Sequence, residues 1–285
     1  MANHINGLDH ALIGVTDLEA ARRSYDRLGF DATPRGEHTG RGTANYCYMF
    51  ETGYLELLGV IDPSQDRFGI GANIAARGDG IERLALATDS AVAAQSDINA
   101  TGLKALPAQA LERVLSAEAG GGKIGFELVL LDEPPPLKSL FLCHHLTPER
   151  TWQPQWKDHR NTAVALRGVI LVADHPPHLQ DQIIKLFGMS TVTPTDHAIA
   201  VHLGSQRLLI VSPTDMEVMF PNTYPAKTPP VPFFAAVQVA VRDLTACRTA
   251  LAEGNVPFHV HDAEGGTLRV APSEAHGVLF EFVQA

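Results

Sequence analysis

A short aliphatic run, an acidic residue, a helical stretch and a glycine stop recur four times along the 285 residues. This repeat constrains the fold more than any single motif. In the first copy, Leu8 to Asp17 reads as a strand and Leu18 to Leu28 as a helix closed by Gly29 and Phe30. Leu18, Ala21, Tyr25 and Leu28 fall three and four residues apart, which is one apolar face of a 3.6-residue period. Asp17 is a good N-cap and Gly29 a good stop.

The other copies run from Ile81 to Asp89 with a helix ending near Gly102, from Gly168 to Asp174 with Leu179 to Phe187, and from Val237 to Asp243 with Leu244 to Leu251. Their acidic markers are 72, 85 and 69 residues apart, the size of one supersecondary unit. After the helix come hairpin signals: Asn45 to Phe50 and Tyr54 to Val60 flank Gly53, and Gly266 to Val270 and Gly277 to Val283 flank Pro272 to His276. Each unit therefore reads βαβββ. One such unit cannot cover both faces of its sheet, so units must pair. The predicted class is α+β, with four βαβββ modules paired into two half-open mixed-sheet barrels. The expected division is 1–150 for the first pair, 151–161 for a connector holding Trp152 and Trp156, and 162–285 for the second pair. Pro221 to Pro232 links the third and fourth units, and Asp132 to Leu137 reads as a loop.

Charge narrows the partners. Lys and Arg number 22 against 32 Asp and Glu, a net charge of -10, and basic residues never cluster, so nucleic acid is not expected. No segment approaches the roughly 20 apolar residues of a membrane span, and the start lacks the features of a signal peptide. A cytoplasmic protein, monomer or homodimer, acting on a small molecule is expected. Cys47, Cys143 and Cys247 are too scattered for a disulfide framework or a zinc ribbon.

The grammar of these units, with Leu8-Asp-His10, Thr16-Asp-Leu18, the turn from His38 to Asn45, Tyr54-Leu-Glu56, and Ser139 to His145, resembles the vicinal-oxygen-chelate superfamily and its glyoxalase-like branch. The resemblance is specific over most of residues 7 to 175 and generic beyond. It implies a divalent metal, Zn, Mn, Ni or Fe, held inside a barrel by residues of the first and last strand of each unit. Mapped onto this chain, it implies His10 and Glu56 in unit one. In unit two it implies Glu82, seven residues before Asp89 as His10 is before Asp17, and His144 or His145, with His144 preferred because it shares parity with Leu140 and Leu142. The implied metal set is His10, Glu56 and His144. Glu56 or Glu82 would be the catalytic carboxylate, and His38 and Asn45 would touch substrate. The matching places in the second half hold Arg167, Ala236 and Leu209-Ile210, and only Glu281 keeps a ligand type, so a single metal in the first half is expected.

Each residue also has a plainer reading: Glu56 as a surface acid, His144 as a strand-end histidine, Glu82 as half of an exposed pair with Arg83, and His38 and Asn45 as turn residues. The implied activity is metal-dependent lyase or isomerase chemistry on a small oxygenated metabolite, by chelation of neighbouring oxygens. The alternatives are extradiol-type dioxygenation with the same ligands, or a binding protein that sequesters a small molecule. Pairing of unit one with unit two, or with unit four, stays open at this point, with chain order favoured.

Overall fold

The computed structural model describes residues 2–66, 68–115, 121–225, 228–261 and 266–285. Unit one comprises β1 (Gly7–Gly14), α1 (Leu18–Arg27), β2 (Gly36–His38), β3 (Thr43–Met49) and β4 (Tyr54–Val60). A helix outside the repeat, α2 (Ile70–Arg77), precedes unit two: β5 (Gly80–Ala87), α3 (Ala91–Ala100), β6 (Gln109–Leu115), β7 (Lys123–Leu130) and β8 (Leu140–His145). Between units two and three lies the single turn α4 (Pro148–Thr151). Unit three is β9 (Ala163–Val172), α5 (Gln180–Phe187), β10 (Val192–Pro194), β11 (Ile199–Leu203) and β12 (Gln206–Val211), followed by α6 (Pro213–Met219). Unit four is β13 (Phe233–Val241), α7 (Leu244–Glu253), β14 (His259–His261), β15 (Thr267–Val270) and β16 (Leu279–Gln284).

The helix ends follow their caps. Asp17 accepts the Ala20 N–H at the start of α1, and Gly29 takes a positive φ of 85° just past its end. At α3 the cap is Ser90, which accepts the Ala93 N–H, so the residue equivalent to Asp17 is Ser90 and not Asp89.

Strand pairing follows chain order. β1 runs antiparallel to β5, which joins unit one to unit two, and β9 runs antiparallel to β13, which joins unit three to unit four. In the first half β2 also pairs with β6, so eight strands form a complete ring. The second half has the same order but no pairing between β10 and β14 among the described residues, and it stays half open. The architecture is thus four βαβββ modules in two mixed-sheet barrels.

Alternation separates two cores. On β4, Leu55 and Leu57 face outward into a large cluster beneath the helices with Ile13, Tyr25 and Phe30, while Tyr54 faces into the barrel with Met49, Phe126 and Phe141. The outer cluster runs across both halves. Gln206 stitches them together, accepting the Leu8 N–H at 2.9 Å and donating to the carbonyls of Leu8 and Leu166 at 3.0 and 2.9 Å. The helices outside the repeat act as plugs. Ile70 and Ile74 of α2 pack on Leu12 and Leu58 in the first barrel, and Met216 of α6, with Phe220 beyond it, packs on Ile170 and Val211 in the second. Among the described residues no helix is long and apolar enough to cross a membrane.

Candidate metal and substrate site

The first barrel encloses a cavity lined by His10, His38, Asn45 and Glu56, with an apolar wall that includes Leu12, Leu58 and Phe141. The four polar residues reach it because they occupy inward positions on β1, β2, β3 and β4. Leu12 pairs with Glu56, and Cys47 flanks Glu56 from the other side, so the carboxylate projects from the middle of the wall. Glu56 is only 5% exposed, which excludes its reading as a surface acid.

Asn45 holds Glu56 in place, its Nδ2 donating to Oε1 at 2.5 Å. His10 Nε2 lies 3.4 Å from Glu56 Oε2, and His38 Nε2 lies 3.7 Å from Oε1. His10 is fixed from behind. Its ring stacks on Tyr54 with centroids 4.4 Å apart, and its Nδ1 meets Asp9 Oδ1 at 2.6 Å. Because a carboxylate only accepts, Nδ1 donates to Asp9, and Nε2 is the ring atom turned toward Glu56.

Asp9 reaches His10 because of a β-bulge. Leu8 pairs with Leu86 and His10 with Ala85, which leaves Asp9 as the extra residue, free to turn toward its neighbour. The same carboxylate accepts from His145 Nε2 at 3.0 and 3.1 Å. Burial alone would raise its pKa, but the His145 charge and the hydrogen bonds from both histidines hold it well below the usual carboxylate range. Burial also pushes the His38 pKa down, with Arg113, His10 and Arg41 adding to the effect against Glu56, so His38 stays neutral.

His10, Glu56, His38 and Asn45 therefore come together. Glu82 and His144 do not. On the β1–β5 ladder Leu12 pairs with Arg83 and Ile13 with Ile81, so Glu82 is a second bulge residue, set in a separate cleft with Asn73 and Arg77. The cavity position matching His10 belongs to Arg83, which stands seven residues before Ser90 as His10 stands before Asp17. Measuring from Asp89 instead of the true cap shifted the expectation by one residue.

The parity expected for β8 is also reversed. Leu140 and Leu142 face the outer core, so His144 lies on the outside, where its Nδ1 meets Glu127 Oε2 at 3.2 Å. Phe141 and Cys143 line the cavity instead. The trio His10, Glu56 and His144 is not assembled.

A metal has a place to sit here. Two donors bound about 2.1 Å from one ion lie about 3.0 to 3.4 Å apart, which matches His10 Nε2 and Glu56 Oε2. Asp9 supplies the outer carboxylate that commonly orients a ligating histidine. Donor atoms of Asp9, His10 and Cys143 all lie within 4.8 Å of one another, so a sulfur stands beside the same imidazole. The donor chemistry fits a divalent cation with open coordination positions, since Arg83 and Phe141 occupy the facing strands.

With Arg41, Thr43, Arg83 and Thr151, Arg113 is one of the polar lining residues that sequence reasoning missed. It is buried in β6, opposite His38 on β2. The one signal was its place at an inward position of the alternation through Leu111 and Leu115.

A family model described as a glyoxalase-like domain matches residues 8–187, more than half the chain. No protein of curated function matches the sequence. Among solved structures, a hypothetical protein from Staphylococcus aureus superposes with a TM-score of 0.69 at 14% identity, covering 98% of this chain and 99% of that one. A mutant 4-hydroxymandelate synthase from Streptomyces coelicolor gives 0.63 at 16%, covering 98% and 92%. The Mn(II)-bound glyoxalase from Novosphingobium aromaticivorans gives 0.58 at 13%, covering 99% and 82%. At these identities the likeness speaks for the fold. With the residues matched by the family model, it means that the chain belongs to the glyoxalase-like domain family of the vicinal-oxygen-chelate fold.

Proposed function

We propose that the chain is a metal-dependent glyoxalase-like enzyme of the lyase or isomerase type, acting on a small oxygenated molecule in the first barrel. The observation that carries this reading is the buried pair of His10 Nε2 and Glu56 Oε2, 3.4 Å apart on a cavity wall and braced by Asp9 and Asn45. A divalent ion held by His10 and Glu56, with Cys143 beside them, would polarise two neighbouring substrate oxygens. Mn, Fe, Ni and Zn are all compatible with such donors.

The chain's own groups divide the remaining work. The Glu56 carboxylate takes a proton from the carbon next to a polarised oxygen and returns it to the neighbouring one, which is general base and acid work. Asn45 keeps that carboxylate aimed. His38, neutral and anchored to Thr43 Oγ1 at 3.0 Å through Nδ1, sits where it can pass a proton to or from Glu56 Oε1. Glu82 has no part in this, since it stands outside the cavity. The dioxygenase alternative loses His144 from its ligand set and would need His38 as its second imidazole. The binding-protein alternative draws support from Arg83, a cation at the position facing His10.

The test is metal content after purification without chelator, for the wild type and His10→Ala. Stoichiometric metal that disappears in the folded variant supports the enzyme reading. Full occupancy in His10→Ala, or wild-type protein that takes up no added Mn²⁺ or Zn²⁺, overturns it.

A further inference from the structure

The cavity lining holds a deep arginine that the proposed chemistry leaves unused, Arg113. Arg41 and Arg83 both lie over the Phe68 ring, at 4.5 and 5.4 Å from its centroid. Arg113 is deeper, only 3% exposed, and meets only neutral acceptors: Cys47 Sγ at 3.4 Å, Thr33 Oγ1 at 3.2 Å and the Pro34 carbonyl at 3.2 Å. No carboxylate pairs with it among the described residues, and its Nε–H has no acceptor. Gly36 makes room for it, since a Cβ there would stand 2.1 Å from Arg113 Nε.

A buried guanidinium without a counter-ion is costly, so its retention implies a negative partner that comes and goes. We propose that the substrate is a small monocarboxylate with an apolar body, its carboxylate taken by Arg113 beside His38 and Glu56. The Nε–H of Arg113, which has no acceptor, and the Nη1 hydrogen not turned to Cys47 Sγ are the donors open to a carboxylate, as charge-assisted hydrogen bonds. A phosphate dianion would call for a second deep cation, whereas Arg41 and Arg83 are seated on Phe68. The apolar wall of Leu111, Phe126, Leu128 and Leu130 accepts the rest of the molecule. Asn45 Oδ1, buried and without a partner among the described residues, offers one acceptor for a substrate hydroxyl.

This inference rests on the reading of the first barrel as the site, not on the metal. Calorimetric titration with benzoate and octanoate, with benzamide and octanamide as neutral counterparts, and with phenyl phosphate tests it on chelator-treated protein. Both acids are expected to bind about tenfold or more tightly than their amides, and Arg113→Gln is expected to lose that difference while Arg113→Lys keeps part of it. Equal binding of acid and amide, no binding of either acid, or an undiminished preference in Arg113→Gln overturns the proposal. Tighter binding of phenyl phosphate than of benzoate overturns the choice of carboxylate. The acid-to-amide comparison on the unaltered chain stands even if the variant fails to fold. Failure of metal uptake would remove the enzyme reading and leave this result untouched.

Discussion

The two barrels place a glutamate at the same point and use it in opposite ways. Glu56 lies across from Leu12 and Cys47, and Glu281 lies across from Gln238 and Arg269 in the same register. His10, two residues before Leu12, is matched by Ala236, two residues before Gln238. In the second barrel Arg269 donates to Glu281 Oε1 through Nε at 2.9 Å and Nη2 at 2.8 Å, while Gln238 donates to Oε2 at 2.8 Å. Arg269 is itself held by the Met219 carbonyl and lies over the Phe220 ring. That carboxylate is saturated from within. In the first barrel the corresponding neighbour is a cysteine, and Glu56 is left with Asn45, His38 and Nε2 of His10. Three neighbours separate the open glutamate from the ion-paired one: His10, Leu12 and Cys47 around Glu56 against Ala236, Gln238 and Arg269 around Glu281.

Breaking the second barrel's pair should have the largest effect on stability. Arg269→Ala strands Glu281 in the interior, and the expected loss is about 3 to 5 kcal/mol in urea denaturation. The paired replacement Arg269→Met with Glu281→Leu should recover most of it, because burying neither charge is often as good as burying both. Glu56→Gln should do the reverse in the first barrel. The thermal midpoint should hold or rise, while metal affinity drops by more than the roughly 10- to 100-fold typical of an outer-sphere change.

Acid should also separate the halves. His159 accepts the Asp31 N–H on Nδ1 and donates from Nε2 to the Met49 carbonyl, a pattern that needs the neutral ring. Burial holds its pKa, like that of His38, below the ordinary value. The unfolded chain therefore takes up protons first, so stability is full above about pH 6.5 and falls as pH drops below it, by up to about 1.4 kcal/mol per unit for each such histidine. Hydrogen exchange between pH 7 and 5 should show loss of protection in the first half before the second. His159→Gln should flatten the dependence. The smallest effect expected is on metal binding in Glu281→Gln, which should match the wild type.

Much of this was legible because alternation and capping are local. Leu18 to Leu28, the hairpin around Gly53 and the inward placement of Glu56 follow from residue spacing alone. Glu82 was misplaced because Asp89 and Ser90 are adjacent and both are good caps in sequence, and the true cap, Ser90, puts Arg83 at the matching place. His144 was misplaced because both faces of β8 are buried, so Leu140 and Leu142 mark the outer core as readily as the cavity. Helix α2 was missed because its cap, Gly69, carries no side chain, and Arg113 because an inward arginine on an alternating strand looks like a surface residue until its partners are known. His159 and Asn161 organise the connector, the latter donating to the Leu28 carbonyl and accepting the Ala163 N–H.

The asymmetry of the barrels is tested most directly by anomalous diffraction from crystals soaked in Mn²⁺. One ion per chain is expected in the first barrel, with His10 Nε2 and a Glu56 oxygen as ligands and no density at Glu281. An ion beside Glu281, or a first barrel in which His10 and Glu56 stay paired with each other at saturating Mn²⁺, would contradict the account.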